Sequence, residues 1–134
     1  MCLIKNKIFP SLLLKDKFVY KILIINKLDN HEYSFKTPFM LEEVVLGKSY
    51  KGKFKSNENI LNVITNDHIT EGFIHSYSNY NIAKLTLNNL KKYRVNLDFV
   101  IVIGKIPRFS LYFQNYDEIA SRKLKYVNIV KSLI

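Results

Sequence analysis

The sequence predicts a single α+β domain, in which a curled, mainly antiparallel sheet of about six strands packs against one principal helix at residues 79–92. Three observations lead to this prediction. The chain has 134 residues, the size of one domain, and no repeat or Pro/Gly-rich linker divides it. Short runs of apolar, β-branched and aromatic residues alternate with turn residues along most of its length. One long segment shows the helical spacing of apolar residues.

The first predicted strand lies at residues 17–25, KFVYKILII, which is rich in β-branched and aromatic side chains and too short for an ordinary helix. Asp29 and Asn30 are typical turn residues, so the sequence HEYSF that follows is expected to return as the second strand of a hairpin. Pro38 is expected to end that strand. Residues 1–16 are expected to be a loosely attached N-terminal segment of the domain, which spans residues 1–134.

A lysine-rich strand is predicted within residues 40–55, which two glycines punctuate. Tyr50 and Phe54 alternate there with lysines, a pattern that predicts a strand with one lysine-lined face. Residues 56–67 are more polar and are expected to form a short helix or a loop.

The next predicted strand is FIHSY, directly after Gly72. Side chains alternate along a strand, so three are expected on one face (Phe73, His75, Tyr77) and two on the other (Ile74, Ser76). The predicted helix follows, and either Ser78 or Asn79 can supply its N-cap. Its apolar residues recur three or four positions apart (Tyr80, Ala83, Leu87, Leu90), and basic residues occupy its last turn (Lys91, Lys92, Arg94).

The C-terminal third contains the strongest strand signal, at residues 96–106, which is expected to be central. The sequence PRFSLYF alternates cleanly, which predicts three inward side chains (Phe109, Leu111, Phe113) and two outward ones (Ser110, Tyr112). Residues 116–121 look like one helical turn. A last strand is predicted from about Lys123.

The chain is strongly basic, with a net charge of +10, and 18 of its 21 basic residues are lysine. Such an excess attracts nucleic acid, an anionic membrane or an acidic protein. An A/T-rich genome also favours Lys, Asn and Ile codons, so composition alone is an alternative source of the excess. The scarcity of arginine argues against bidentate reading of bases.

Three basic clusters are the candidate binding residues. In GKSYKGKFK the lysines interleave with aromatic residues, a combination that can hold a nucleic-acid backbone and stack bases (Lys48, Tyr50, Lys51, Lys53, Phe54, Lys55). The others are the end of the predicted helix (Lys91, Lys92, Arg94) and the start of the last strand (Arg122, Lys123, Lys125). An edge strand whose lysines block aggregation is the alternative interpretation of the first cluster.

No metal site or nucleophilic site is predicted. Histidines 68 and 75 are seven positions apart and do not match tight metal-ligand spacing. The single cysteine, Cys2, allows no disulfide or cysteine-ligated zinc site within one chain, and no serine lies in a glycine-flanked elbow. No apolar run reaches the length of a membrane span and the N-terminus lacks a signal-peptide cleavage site, so a soluble protein of the cytoplasm is expected.

Several short pieces, in this order, resemble a diffuse group of small uncharacterised proteins from phages and prophages. They are VYKILI (19–24), EYS (32–34), LGKSY (46–50), EGFIHSY (71–77), VIVIGKIPRFSLYF (100–113) and EIASRKLKYV (118–127), the last with its Ile-Ala-Ser-x-Lys segment. The group commonly has Gly-Phe-His where this chain carries an additional residue, Ile74. The resemblance implies a viral accessory protein and supplies no catalytic mechanism.

A weaker likeness is to ADP-ribosyltransferase-like folds. There a histidine grips the NAD ribose, an aromatic ring stacks on the nicotinamide and a late glutamate orients the acceptor. The matching residues here are His75, Tyr77 or Tyr112, and Glu118. The likeness implies NAD as a cofactor.

The preferred hypothesis is a basic, non-enzymatic, cofactor-free binding protein encoded by a phage or mobile element. Its expected partner is an anionic protein, a host defence nucleoprotein complex that it inhibits, or RNA or DNA. An NAD-binding or ADP-ribosyltransferase-like enzyme is the alternative.

Overall fold

The computed structural model describes residues 3–29, 32–38, 41–53, 68–69 and 72–130. Within these ranges the chain forms twelve strands and one helix. The strands are β1 (Leu3–Ile4), β2 (Ser11–Leu12), β3 (Lys17–Lys27), β4 (Tyr33–Lys36), β5 (Glu43–Val44), β6 (Ser49–Lys51), β7 (His68–Ile69), β8 (Ile74–Tyr77), β9 (Phe99–Ile106), β10 (Leu111–Asn115), β11 (Glu118–Ser121) and β12 (Lys123–Ile129). The helix α1 (Tyr80–Tyr93) lies between β8 and β9.

One antiparallel sheet of ten strands dominates the fold, and with the one helix found in the described ranges it confirms the α+β class. Its main path runs β2-β10-β11-β8-β3-β9-β12-β6, with β4 and β5 branching from β3. β1 and β7 form a separate pair. The predicted number of about six strands was wrong, because strands of two residues, such as β2 and β5, are too short to show any periodicity.

The long elements lie where the sequence predicted them. β3 pairs with β9 over eight residues, from Lys17 to Ile24, and forms the predicted hairpin with β4. α1 begins at Asn79, whose side chain accepts hydrogen bonds from the backbone N–H groups of the second and third residues that follow. Ala83 and Leu87 are buried on the inner side of this helix, as the helical spacing predicts.

Two predictions in the C-terminal third were wrong. Residues 116–121 contain no helical turn; Tyr116 adopts a left-handed φ of 55° and the chain reverses into β11, which pairs with β10 and with β8. Pairing on both sides outweighs the weak helical preference of this short segment. Phe109 also has a left-handed φ, of 67°, and is 64% exposed, whereas Ser110 is buried. A turn therefore interrupts the alternation of PRFSLYF before β10 begins.

The hydrophobic core occupies both faces of the sheet. On one face, Val19, Leu23, Val102 and Leu124 belong to one cluster. On the other face, α1 covers a second cluster, in which its own buried residues meet side chains of the sheet (Ile22, Tyr77, Phe99, Ile101). The N-terminal segment touches the sheet at two points, because Leu3 is 1% exposed against Phe73 and Phe113, and β2 pairs with β10.

β3 has two different neighbours along one of its edges. β9 occupies one edge of β3 from Lys17 to Ile24. Both β8 and β4 must therefore lie along the opposite edge of β3. β8 pairs with β3 at Tyr20 alone, and β4 pairs with it from Ile24 onward. In the described part of the chain, residues 21–23 therefore have no strand partner on this edge, and the sheet forks there.

A second junction joins the end of β6 to the start of β8. The Gly52 N–H donates to the Arg122 carbonyl (2.9 Å), and the Gly72 N–H donates to the Lys53 carbonyl (2.9 Å). The Arg122 guanidinium donates to the carbonyls of both glycines and lies over the Phe73 ring, 5.7 Å from its centroid. Three segments that are distant in the sequence thus meet around one arginine.

Candidate functional site

Four lysines from three neighbouring strands lie on one face of the sheet. Lys51 of β6 is directly opposite Lys123 of β12, and Lys125 of β12 is directly opposite Lys105 of β9. Leu124 lies between the two β12 lysines and is buried, so the lysines point to the other face of the sheet. We call this set, Lys51, Lys105, Lys123 and Lys125, the lysine face.

An aromatic side chain lies beside the lysine face. Phe18 of β3 is directly opposite Lys105, in the same row as Lys125, and is 62% exposed. Lys105 also forms an ion pair with Asp16, with Nζ and Oδ2 3.9 Å apart. Both side chains of this ion pair are partly exposed, so the attraction between them is weak and offsets little of the positive charge of the lysine face.

The register of the lysine face places like charges directly opposite one another. Each such cross-strand pair destabilises a sheet by a few tenths of a kcal/mol, roughly the size of a favourable pair with the opposite sign. An anion bound between the strands would remove this repulsion. The lysine face therefore carries repulsion between like charges.

The first predicted basic cluster is only partly on this face. Tyr50 is turned into the core, where its ring lies 5.5 Å from that of Tyr126 and its hydroxyl accepts a hydrogen bond from the Val45 N–H. Tyr50 therefore cannot serve as a stacking anchor. Lys48 and Lys53 flank β6 and are exposed. Phe54 and Lys55 lie outside the described residues.

The second predicted cluster lies at the opposite end of the sheet. The Arg94 guanidinium lies over the ring of Phe99, at the start of β9, and donates to the Pro38 carbonyl. Phe99 and Lys105 are six residues apart in one strand, which corresponds to about 20 Å. Lys91 and Lys92 precede Arg94 and are exposed, so they form a separate basic region.

The third cluster is divided between two roles. Lys123 and Lys125 belong to the lysine face, whereas Arg122 holds the junction of Gly52 and Gly72 described above. Its guanidinium is thus engaged within the fold rather than presented to a partner.

The residues of the NAD alternative come together, but in an unsuitable environment. Tyr77 is directly opposite Glu118, and His75 is directly opposite Ala120, so all three candidate side chains share a face of β8 and β11. Tyr77 is 6% exposed and packs beneath α1. Tyr112 packs against the other core cluster. Each of the two rings packs against a core cluster, which disfavours stacking on a nicotinamide.

A pocket of about 140 Å³ opens where the sheet forks, and we call it the forked pocket. Its walls come from β3, from β8, from the end of β6 and from the connection between β4 and β5. Its lining includes the residues Lys21, Glu42, Lys51, Lys53 and His75. The Lys21 ammonium bridges the fork, because it donates a 2.6 Å hydrogen bond to the backbone carbonyl of His75.

Both ionisable groups in the fork have shifted pKa values. Burial lowers the pKa of Lys21 to about 8, although the carboxylate of Glu42 opposes this shift. Burial, followed by the nearby charge of Lys21, lowers the pKa of His75 to about 3. His75 is therefore neutral at physiological pH, and among the described residues its Nε2 atom has no hydrogen-bond partner.

The neutral state of His75 predicts a loss of stability in mild acid. Its pKa is lower in the folded chain than in the unfolded chain, so the unfolded state binds more protons between about pH 6.5 and pH 3. Stability is therefore lost as the pH falls through this window. Between pH 7 and pH 5.5 we expect His75 to contribute a loss of about 1 kcal/mol.

Urea unfolding of the wild type and of His75→Gln at both pH values measures this contribution. The other two histidines are present in both proteins and cancel in the comparison. The variant should lose about 1 kcal/mol less stability than the wild type on acidification. Equal losses in the two proteins would show that His75 titrates normally in the folded state.

Sequence reasoning missed three residues of these sites. Lys105 and Phe18 were assigned to strands without any role, because the pairing register that brings them beside Lys125 is not visible in the sequence. Lys21 did carry a signal. It interrupts the apolar run FVYKILII, and a lysine within a buried strand indicates an ammonium that needs a partner.

Comparisons with protein-family models, with curated proteins and with solved structures find no match. The resemblance to phage proteins therefore remains a prediction. The described residues contain no group of three or more His, Cys, Asp or Glu side chains placed to hold a metal ion. No helix in the described part of the chain combines the length and apolar character needed to cross a membrane.

Proposed function

We propose that the chain is a non-enzymatic binding protein that holds single-stranded nucleic acid against its lysine face. The observation that carries this proposal is the convergence of Lys51, Lys105, Lys123 and Lys125 from three strands onto one face. Lysines act as point charges toward phosphates, so this contact would follow the backbone without reading the bases.

The exposed ring of Phe18 favours nucleic acid over an acidic protein. It lies in the same cross-strand row as Lys105 and Lys125. Bases stack on aromatic rings beside a basic groove, and each stacked base contributes about 1–3 kcal/mol. The most specific form of this function is that of a phage-encoded inhibitor, which would bind the nucleic acid of a host defence complex in the cytoplasm.

Fluorescence anisotropy with a labelled oligothymidylate tests the proposal. Four lysine–phosphate contacts predict that the affinity falls about 50-fold between about 50 and 200 mM salt, since counterions are released on binding. Lys123→Gln/Lys125→Gln should weaken binding at low salt by about tenfold or more and reduce the slope of the salt dependence by about half. Phe18→Ala should weaken binding by about tenfold at any salt concentration.

Lys91→Gln/Lys92→Gln is the matched control, because it removes the same charge at the other end of the sheet. Equal losses for the two double variants would show that net charge, rather than the lysine face, governs binding. Polyglutamate serves as the second ligand. If it binds as tightly as the oligonucleotide and Phe18→Ala has no effect, the partner is an acidic protein.

A further inference from the structure

The Lys21 ammonium lies in the forked pocket with most of its hydrogen-bonding capacity unused. It has three N–H donors, and one of them reaches the His75 carbonyl. No other acceptor and no ion-pair partner for it occurs within the described ranges. A positive charge surrounded by protein normally has a counter-charge or several acceptors. The pocket supplies the space in which such a partner can lie.

The rest of the lining also favours an anion. The basic residues that line the pocket are Lys21, Lys51 and Lys53, and Glu42 is an acidic residue of the lining. His75 also lines the pocket, and its buried Nε2 atom has no hydrogen-bond partner among the described residues.

The size and surface of the pocket limit the ligand. Its volume of about 140 Å³ is close to that of an engineered protein cavity of about 150 Å³ that binds benzene. Apolar side chains make up much of the wall (Ile22, Val44, Phe73, Ile74, Leu90). The site therefore suits a compact apolar body that carries one negative group.

We propose that the forked pocket binds a small organic carboxylate, whose carboxylate group accepts hydrogen bonds from the Lys21 ammonium and whose apolar part fills the pocket. Lys51 is common to the pocket lining and the lysine face, but the carboxylate contact at Lys21 does not depend on nucleic-acid binding. The bound carboxylate would accept from the Lys21 N–H groups that have no acceptor among the described residues.

Isothermal titration calorimetry with benzoate tests the proposal, because benzoate joins a benzene ring to one carboxylate. We expect saturable 1:1 binding at a Kd of about 10 mM or tighter, and binding of the neutral analogue benzyl alcohol at least about tenfold weaker. Lys21→Met should reduce benzoate affinity at least about tenfold. Lys84→Met, which removes an exposed lysine on α1, should leave it unchanged.

Proton uptake gives a second readout that points to Lys21 itself. Burial holds its pKa at about 8, so about half of the amines are neutral at pH 8. A bound carboxylate favours the ammonium, and binding at pH 8 should take up about half a proton, measured from the heats in two buffers of different ionisation enthalpy. The proposal fails if benzoate does not bind, if benzyl alcohol binds equally well, or if Lys21→Met retains both the affinity and the proton uptake.

Discussion

Replacing Gly52 with alanine is expected to lower the free energy of unfolding by about 3 kcal/mol, the upper end of the usual cost of overpacking. A Cβ atom at this position would overlap the Gly72 carbonyl and lie 2.6 Å from the Phe73 nitrogen. Both obstacles are backbone atoms, and the hydrogen bonds around Arg122 hold them in place. Relief would require the end of β6 and the start of β8 to separate.

Gly104→Ala is the matched control for this substitution. A Cβ atom there would lie 2.8 Å from Cδ1 of Leu124, the far end of a flexible side chain that can shift. We expect this variant to lose about 1 kcal/mol. Chemical denaturation of both variants gives the comparison, and equal losses would show that the Gly52–Gly72 contact is not a rigid part of the fold.

Replacing Lys21 with methionine is expected to raise the free energy of unfolding by about 2 kcal/mol at pH 7. The pKa of Lys21 is about 8 in the folded chain, below the ordinary 10.5, so keeping it charged at pH 7 costs the fold about 3 kcal/mol. Methionine removes this cost and keeps much of the apolar stem. The His75 carbonyl then loses its donor, which returns about 1 kcal/mol.

The gain from Lys21→Met should depend on pH in a defined direction. Between about pH 8 and 10.5 the unfolded wild type binds more protons than the folded protein, so wild-type stability rises with pH in this window. The advantage of the variant should therefore shrink above pH 8 and vanish by about pH 10.5. Denaturation at pH 7 and pH 9.5 measures it, with Lys84→Met as the exposed control. A variant that is less stable at pH 7 would show that the ammonium has a satisfied partner.

The sequence predicts those helices and strands that are long enough for the spacing of their apolar residues to be recognised. β3, β9 and α1 extend for 8 to 14 residues, and their spacing located each of them. β2 and β5 have two residues each, and two residues carry no period. The sequence predicts a helical turn where β11 lies, because the residues of β11 form a strand through pairing with β8 and β10 rather than through a pattern of their own.

The sequence likewise predicts some parts of the candidate sites and not others. The alternation of Tyr50 with lysines predicts a lysine-lined face, but it also requires Tyr50 to point to the opposite side, into the core. A lysine and an aromatic residue at adjacent positions of a strand therefore point to opposite faces and cannot form one binding surface. The aromatic residue beside the lysine face is Phe18, which is 33 positions before Lys51 and reaches it through the pairing of four strands.

The strands at the two ends of the main sheet path have a consequence for the behaviour of the protein at high concentration. β2 has two residues and β6 has three, so each outer margin offers few unpaired backbone groups to a neighbouring molecule. Lys51 adds charge to the second margin. A second copy would have to bring its own lysines against Lys51 to extend the sheet beyond β6, and this repulsion disfavours edge-to-edge association at that strand.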